Sequence, residues 1–405
     1  MPYRIRFTRV CQSFLLGIFL HAPVFAYEYS IHRPNFNLEN YLDINSVAYD
    51  EALEEQWIRA DNGLRMTGHS LSQDLLYTSS ELKLNNKISD RISVVFNLEH
   101  EVFYYDQSLQ DPKIEVAYRP LQSDMSLSFI STTDYIKSEV DMGGAVTWGR
   151  STGNFLRLEQ ITVDPLFNEK NSEPSINDAE YKDFQDQVRL KAAYQWGLFE
   201  LYIDYVNMSN MSFVFDDKIT NYTHSGYTYN SYLKYAISSE NTIKLTGHGF
   251  KSDVTLSDAV SDQHERLDYG SINIKWITRS FTKERLVFGM RFDEFRNKIV
   301  DPLNSSNNLD YSFSATQLYT SYKYSYGMHK AWDFGVYMAE VREPYDETKS
   351  PVDINRQSYQ SQFRASWIQT SPNNKSSLQF HVSVNLDDLV NDIGDGVGMT
   401  YHSIF

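Results

Sequence analysis

The chain has 405 residues, with 29 Tyr, 24 Phe and 6 Trp, one cysteine and a formal net charge of −16. A mean hydropathy of −0.48 argues against a bundle of transmembrane helices, because each span needs about 20 mostly apolar residues. The excess of acids, 53 Asp and Glu against 37 Lys and Arg, argues against a nucleic-acid partner. A single cysteine excludes a disulfide scaffold and a Cys-based metal site.

Residues 1–26 have the pattern of a secretory signal peptide. Three arginines precede an apolar run from Val10 to Leu20, and Ala26 ends a sequence that fits a cleavage site. An N-terminal membrane anchor is the alternative, although the run is short for a span. Cleavage removes three arginines and no acid, which moves the net charge from −16 to −19, and it also removes Cys11.

Residues 27–62 form an N-terminal segment with no strand-like alternation. Within it, Val47 to Ala60 is predicted to be a helix with a rough apolar stripe that includes Trp57. Its polar side carries Glu51, Glu54 and Glu55.

From about residue 74 onward, apolar and polar residues alternate with period two in one segment after another. Leu286, Phe288 and Met290, for example, alternate with charged or small residues. Each such segment predicts a strand with one apolar and one polar face. The strands are placed near 63–69, 74–85, 91–105, 112–119, 124–133, 139–148, 154–163, 186–195, 198–206, 226–237, 241–249, 267–278, 284–295, 311–325, 331–342, 357–369, 375–386 and 397–405.

The connections between these strands alternate between short and long. Short turns such as 238–240 and 326–330 alternate along the chain with long loops such as 207–225, 250–266 and 296–310. This sorting is typical of membrane barrels, with turns at one end and loops at the other. The predicted fold is all-β: a transmembrane antiparallel β-barrel of 16–18 strands, with 18 favoured, over residues 63–405.

The last predicted strand has an alternating apolar face that ends on an aromatic residue. Val397, Met399, Tyr401, Ser403 and the terminal Phe405 share one face. In this and in its signal peptide the chain resembles Gram-negative outer-membrane β-barrels of the porin-like class. The resemblance covers residues 63–405 and implies recognition of Tyr401 and Phe405 by the barrel-assembly machinery. It also implies contact with outer-membrane lipid and lipopolysaccharide.

Charged residues at inward positions are the main candidates for function. An acidic arc precedes a basic arc along the wall, and the two would set up a field across a pore. The alternative is that neighbouring charges simply pair across strands. The acidic arc comprises Glu81, Glu99, Glu101, Glu115, Glu139, Asp141 and Glu159, and the basic arc comprises Arg189, Lys191, Lys234, Lys244, Arg285, Arg291 and Arg364.

The predicted helix is a candidate plug. If it folds into the barrel, Glu51, Glu54 and Glu55, with Trp57 beside them, could dock on the basic arc and narrow the lumen. A periplasmic helix outside the barrel is the alternative.

Catalytic, metal and cofactor sites are not expected. His69-Ser70 and His402-Ser403 are adjacent in strands and point to opposite faces, and His224-Ser225 is placed in a loop. Four acids in the last long loop, Asp387, Asp388, Asp392 and Asp395, leave calcium binding possible, but their spacing fits no EF-hand.

The sequence therefore predicts an exported, non-enzymatic, porin-like channel for small polar solutes or ions in a Gram-negative outer membrane. The alternative is an occluded barrel that docks an envelope complex or a surface polysaccharide. A homo-oligomer is possible in either case.

Overall fold

The structure is a computed structural model, and it describes residues 51–71, 75–103, 107–120, 123–133, 140–150, 153–162, 179–183, 186–215, 221–257, 262–280, 284–300, 309–343, 356–386 and 396–405. The predicted signal peptide, the first four residues of the predicted helix, Glu139 and the acidic loop 387–395 lie outside these ranges.

The chain begins with one helix and continues as strands. The helix is α1 (Glu51–Ile58). The strands are β1 (Gly63–Leu71), β2 (Leu75–Lys87), β3 (Ile92–Phe103), β4 (Gln107–Tyr118), β5 (Met125–Thr133), β6 (Val140–Gly149), β7 (Phe155–Thr162), β8 (Ala179–Asp183), β9 (Asp186–Trp196), β10 (Phe199–Phe215), β11 (Asn221–Ala236), β12 (Asn241–Ser257), β13 (Asp262–Ser280), β14 (Glu284–Val300), β15 (Leu309–Ser325), β16 (Lys330–Glu343), β17 (Arg356–Thr370), β18 (Ser376–Asn385) and β19 (Gly396–Ile404). In the described part of the chain, no helix is both long and apolar enough to cross a lipid bilayer.

The strands form a closed antiparallel barrel. Each wall strand pairs with its neighbour in sequence, and β1 pairs with both β2 and β19, with Gly63 opposite Ile404 and Leu71 opposite Gly396. The short strand β8 pairs with the outer end of β10, while β7 pairs directly with β9. The wall therefore has 18 strands, the number favoured from the sequence.

The two faces of the wall differ in chemistry, as the alternation predicts. Outward positions carry exposed apolar side chains along the middle of the strands, whereas their inward neighbours are mostly polar or charged. A lipid-facing band of this kind is what a membrane barrel requires, because its polar backbone groups are all used in the ladder. Exposed outward residues include Leu127, Phe129, Leu156, Leu158, Ile272, Ile274, Phe288, Leu318, Met338, Phe380, Val382, Val397 and Met399.

Short turns occupy one end of the barrel. The fully described ones are 88–91, 197–198, 237–240, 326–329 and 371–375. Gly197 occupies a left-handed conformation with φ of 57°, which suits glycine in the tight β9–β10 turn. Tryptophans Trp148, Trp196, Trp276 and Trp332 are exposed on the outer face near this end. Such a girdle marks the membrane–water interface, and in barrels of this kind the short turns face the periplasm.

The predicted long loops at 207–225, 250–266 and 296–310 are wrong as loops. They are instead the outer ends of β10 to β15, strands of 16 to 19 residues, and only 216–220, 258–261 and 301–308 lie outside the described residues. At these ends the inward positions mix buried polar and apolar side chains, such as His224 and Val254, so the backbone ladder continues without the regular apolar alternation that reveals a strand. One bulge interrupts the ladder of β10, between Met208 and Met211.

Side chains on the inner face of β12 to β16 pack into a cluster. Its members are Phe250, Tyr269, Ile277, Val287, Phe295, Ala315, Tyr319, Tyr337, Ala339 and Val341, all buried. The interior is therefore lined by packed aromatic and aliphatic groups as well as by charges.

Candidate functional site

The described acidic candidates lie at inward positions of β2 to β7. Glu81 of β2 stands opposite Glu99 of β3, and Glu115 and Glu159 are buried on β4 and β7. Two acidic candidates remain. Asp141 is buried on β6. Glu101 of β3 stands opposite Ser79 of β2, and its side chain is outside the described part.

The basic candidates lie at inward positions of β9 to β17. Lys234 of β11 is opposite Lys244 of β12, and the other five are Arg189, Lys191, Arg285, Arg291 and Arg364. Lys244, Arg291 and Arg364 are almost completely buried.

Charges in the acidic arc are neutralised locally. Arg157 on β7 donates two hydrogen bonds of 2.9 Å to the two carboxylate oxygens of Glu115, and a third of 2.8 Å to Glu159. Lys113 donates to the other oxygen of Glu159 at 2.6 Å. These side chains reach from β4 to β7 across the intervening strands, over small or short residues such as Ala145.

The basic arc shows the same local pairing. Arg189 donates to both carboxylate oxygens of Asp204, at 2.7 and 2.6 Å. Arg291 donates to Asp293 at 2.8 Å and to the Tyr269 hydroxyl at 2.9 Å. The Arg189–Asp204 and Arg157–Glu115 pairs cross between strands, as in the alternative left open by the sequence, whereas Arg291–Asp293 and Arg157–Glu159 pair within one strand. A net field across the lumen remains a prediction.

The helix α1 lies within the barrel and is anchored where the wall closes. We call β1, β2 and β19 the seam. The Trp57 indole nitrogen donates to Glu81 Oε2 at 2.7 Å, the Lys83 ammonium lies 4.4 Å from the ring centroid, and His402 meets the ring edge-on at 5.4 Å. Only 3% of Trp57 is exposed.

Gly63 makes room for this indole. A Cβ at Gly63 would collide with Trp57 and come within 2.9 Å of the Ser403 carbonyl oxygen. The glycine that opens β1 is therefore part of the Trp57 site.

The same helix is anchored on the opposite side of the barrel. We call β10, β11 and β12 the far arc. Glu55 accepts from Lys234 at 2.6 Å and from Lys244 at 3.1 Å, and Arg59 donates to Glu200 at 3.0 Å. Because β1 and β11 stand about half-way round the wall from each other, α1 crosses the interior near the short-turn end.

Of the four plug candidates, Glu55 and Trp57 make these contacts. Glu51 and Glu54 belong to α1, but their side chains are outside the described part. Sequence reasoning missed Arg59, Lys113 and Gly63. Arg59 stands one helical turn after Glu55, and Lys113 has the same strand parity as Glu115, so both signals were present.

Two further candidates have defined positions. His224, expected in a loop, lies instead in β11, where it is buried and 3.3 Å from Ser252 Oγ. Phe405 is exposed on the outer face at the end of β19, and its backbone amide donates to the Asn62 carbonyl. Among the described residues, no group of three or more His, Cys, Asp or Glu is placed to hold a metal ion.

A closed 18-strand antiparallel wall with an apolar outer band, a tryptophan girdle and a charged interior decides the fold. This is the fold of a Gram-negative outer-membrane, porin-like β-barrel.

Comparison with known proteins adds no narrower family. No family model matches the chain. No protein of curated function matches it in sequence either.

Solved structures of similar shape are outer-membrane proteins. Acinetobacter baumannii OccAB3 is 8% identical, with a TM-score of 0.42, covering 85% of this chain and 98% of its own. Pseudomonas aeruginosa OccK2 (OpdF), solved in complex with glucuronate, is 11% identical with a TM-score of 0.40, covering 85% and 97%. A trimer form of Vibrio cholerae OmpT is 10% identical with a TM-score of 0.38, covering 84% and 97%.

Proposed function

We propose that the barrel is a non-enzymatic outer-membrane channel for passive passage of small polar solutes or ions. The protein would reach the outer membrane after export directed by its signal peptide. The observation that carries this proposal is the charged inner face of an 18-strand wall. A barrel of 16–18 strands is wide enough to leave an aqueous channel unless it is plugged. Half-buried charges on the wall, rather than fully buried ones such as Arg291, are then the charges that meet a passing ion.

Arg189 and Lys191 are such charges, and ion selectivity tests them. Their side chains are 35% and 23% exposed, whereas Arg291 is 3% exposed. Replacing both by Gln removes two positive charges from the lumen. We expect the reversal potential in a KCl gradient across a planar bilayer to shift toward cation selectivity.

The matched control is Asp204→Asn, which removes the acid that both residues contact. We expect it to shift the reversal potential in the opposite direction. If neither variant moves the reversal potential of a conducting barrel, these residues do not line the ion path.

A second candidate function rests on α1. Because α1 crosses the interior, an occluded barrel that docks an envelope complex or a surface polysaccharide is the alternative. It predicts no conductance in the wild type, whereas conductance that appears only after α1 has been released from the wall is compatible with it. The channel proposal predicts conductance in the wild type, with a higher open fraction after α1 has been released.

A further inference from the structure

The Glu55 carboxylate occupies a position between two lysines of the wall. Lys234 and Lys244 are directly opposite each other in register on β11 and β12. Two like charges facing each other across strands repel unless a counter-ion lies between them. Glu55 supplies it: Oε2 accepts from Lys234 at 2.6 Å and Oε1 from Lys244 at 3.1 Å.

The lysines belong to the wall and are held in place by it. The Lys244 side chain is 5% exposed, and its ammonium lies 4.4 Å from the centre of the Tyr232 ring. Lys234 also lies 3.5 Å from Glu200 Oε2, and the Tyr232 hydroxyl donates to Glu200 Oε1 at 2.9 Å. A buried ammonium is costly without a nearby anion, so loss of the Glu55 carboxylate favours a replacement anion.

The carboxylate, in contrast, belongs to a separate element. Glu55 reaches the far arc from α1, whose other strong anchor is Trp57 at the seam. A carboxylate bound bidentately by two wall lysines has the geometry of a bound ligand, and here the ligand is part of the same chain.

We propose that Lys234 and Lys244 form a binding site for small carboxylates, that Glu55 occupies it as an internal ligand, and that a soluble carboxylate competing for it loosens the far-arc end of α1. The binding half of this proposal is independent of conduction. The gating half rests on the proposed channel function.

Tethering makes the competition measurable. A carboxylate carried on a short segment acts at an effective concentration of the order of millimolar, so a soluble carboxylate must overcome it in the wild type. Removing Glu55 removes the competitor and leaves both lysines. We therefore expect Glu55→Ala to bind succinate at least about tenfold more tightly than the wild type.

Calorimetric titration of succinate into the full-length barrel in detergent micelles tests the binding half. The double variant Glu55→Ala/Lys244→Met is expected to lose the gain. Asp61→Asn removes an acid that lines the same cavity as Glu55 and keeps both lysines in the chain. It is expected to bind succinate like the wild type, which excludes a general charge effect. Equal affinity of Glu55→Ala and wild type, or a gain that survives Lys244→Met, would overturn the proposal.

Bilayer recordings test the gating half. We expect succinate to raise the open fraction of the wild type more than NaCl of equal ionic strength does, because NaCl only screens the ion pairs. Glu55→Ala is expected to be open without succinate. Equal effects of the two salts would refute carboxylate-driven gating. If no variant conducts while the calorimetry follows the expected pattern, the channel function fails and the carboxylate site stands.

Discussion

At the residue scale, the ion pairs differ sharply in how much the loss of one partner would lower the stability of the barrel. Arg157 neutralises two carboxylates, Glu115 and Glu159, whose side chains are only 9% and 4% exposed. Removing one partner of a buried ion pair is far more costly than removing one of an exposed pair, because the remaining charge stays buried.

Arg157→Met is therefore expected to lower the free energy of unfolding by about 3–5 kcal/mol. Arg266→Met, which breaks the exposed Arg266–Asp268 pair of β13, is expected to cost only about 0–1 kcal/mol. Urea unfolding of both variants in detergent micelles, followed by gel mobility, measures the difference. Equal losses would show that the Arg157 network does not brace the wall.

Which residues face inward could be predicted from the sequence, but their partners could not. Strand parity places Glu115 and Glu159 on the same side of the wall, as the structure has them. That Arg157 and Lys113 would reach them depends on strand register, on wall curvature and on the short side chains between. None of these is encoded within a single strand.

At the scale of elements, the strand ends and the helix show where hydrophobic periodicity does not predict the structure. The sequence predicts β14 from its alternation, yet the outer ends of β10 to β15 are predicted to be loops because polar and apolar residues no longer alternate regularly there. The helix is visible as a stripe with an acidic side. Its docking at the seam depends on Gly63, whose role is evident only once Trp57 lies against it.

Gly63→Val tests this docking. The added side chain is expected to expel Trp57 and detach α1 from the seam, leaving the barrel folded. Trypsin should then cleave after Arg59, which is part-buried in the wild type. Trp57→Ala should reproduce the cleavage.

Gly327→Ala is the control, because the nearest atom to its added Cβ lies 4.0 Å away. It is expected to resist trypsin like the wild type. Resistance of Gly63→Val to the same treatment, in a correctly folded barrel, would mean that the indole does not hold the helix.

At the scale of the whole molecule, closure, lipid-facing band and crossing helix combine into one account. The closed wall hydrogen-bonds every wall strand on both sides, so the chain needs no edge strand in the membrane. The barrel closes between the first and the last strand, with Gly63 opposite Ile404. An even strand count predicts that these two strands are antiparallel, but only the β1–β19 register shows which residues pair. The helix crosses that interior, so the proposed channel function depends on how α1 is held there.

Single-channel conductance tests that account most directly. The variant Glu55→Ala/Trp57→Ala/Arg59→Ala removes the described side-chain anchors of α1, and of the residue that follows it, at the seam and at the far arc. It leaves the wall strands unchanged. Gln56→Ala, at an exposed position of the same helix, is the control. We expect the triple variant to conduct with a higher open fraction than the wild type, and Gln56→Ala to match the wild type. Absence of conductance in a correctly folded triple variant would contradict the channel.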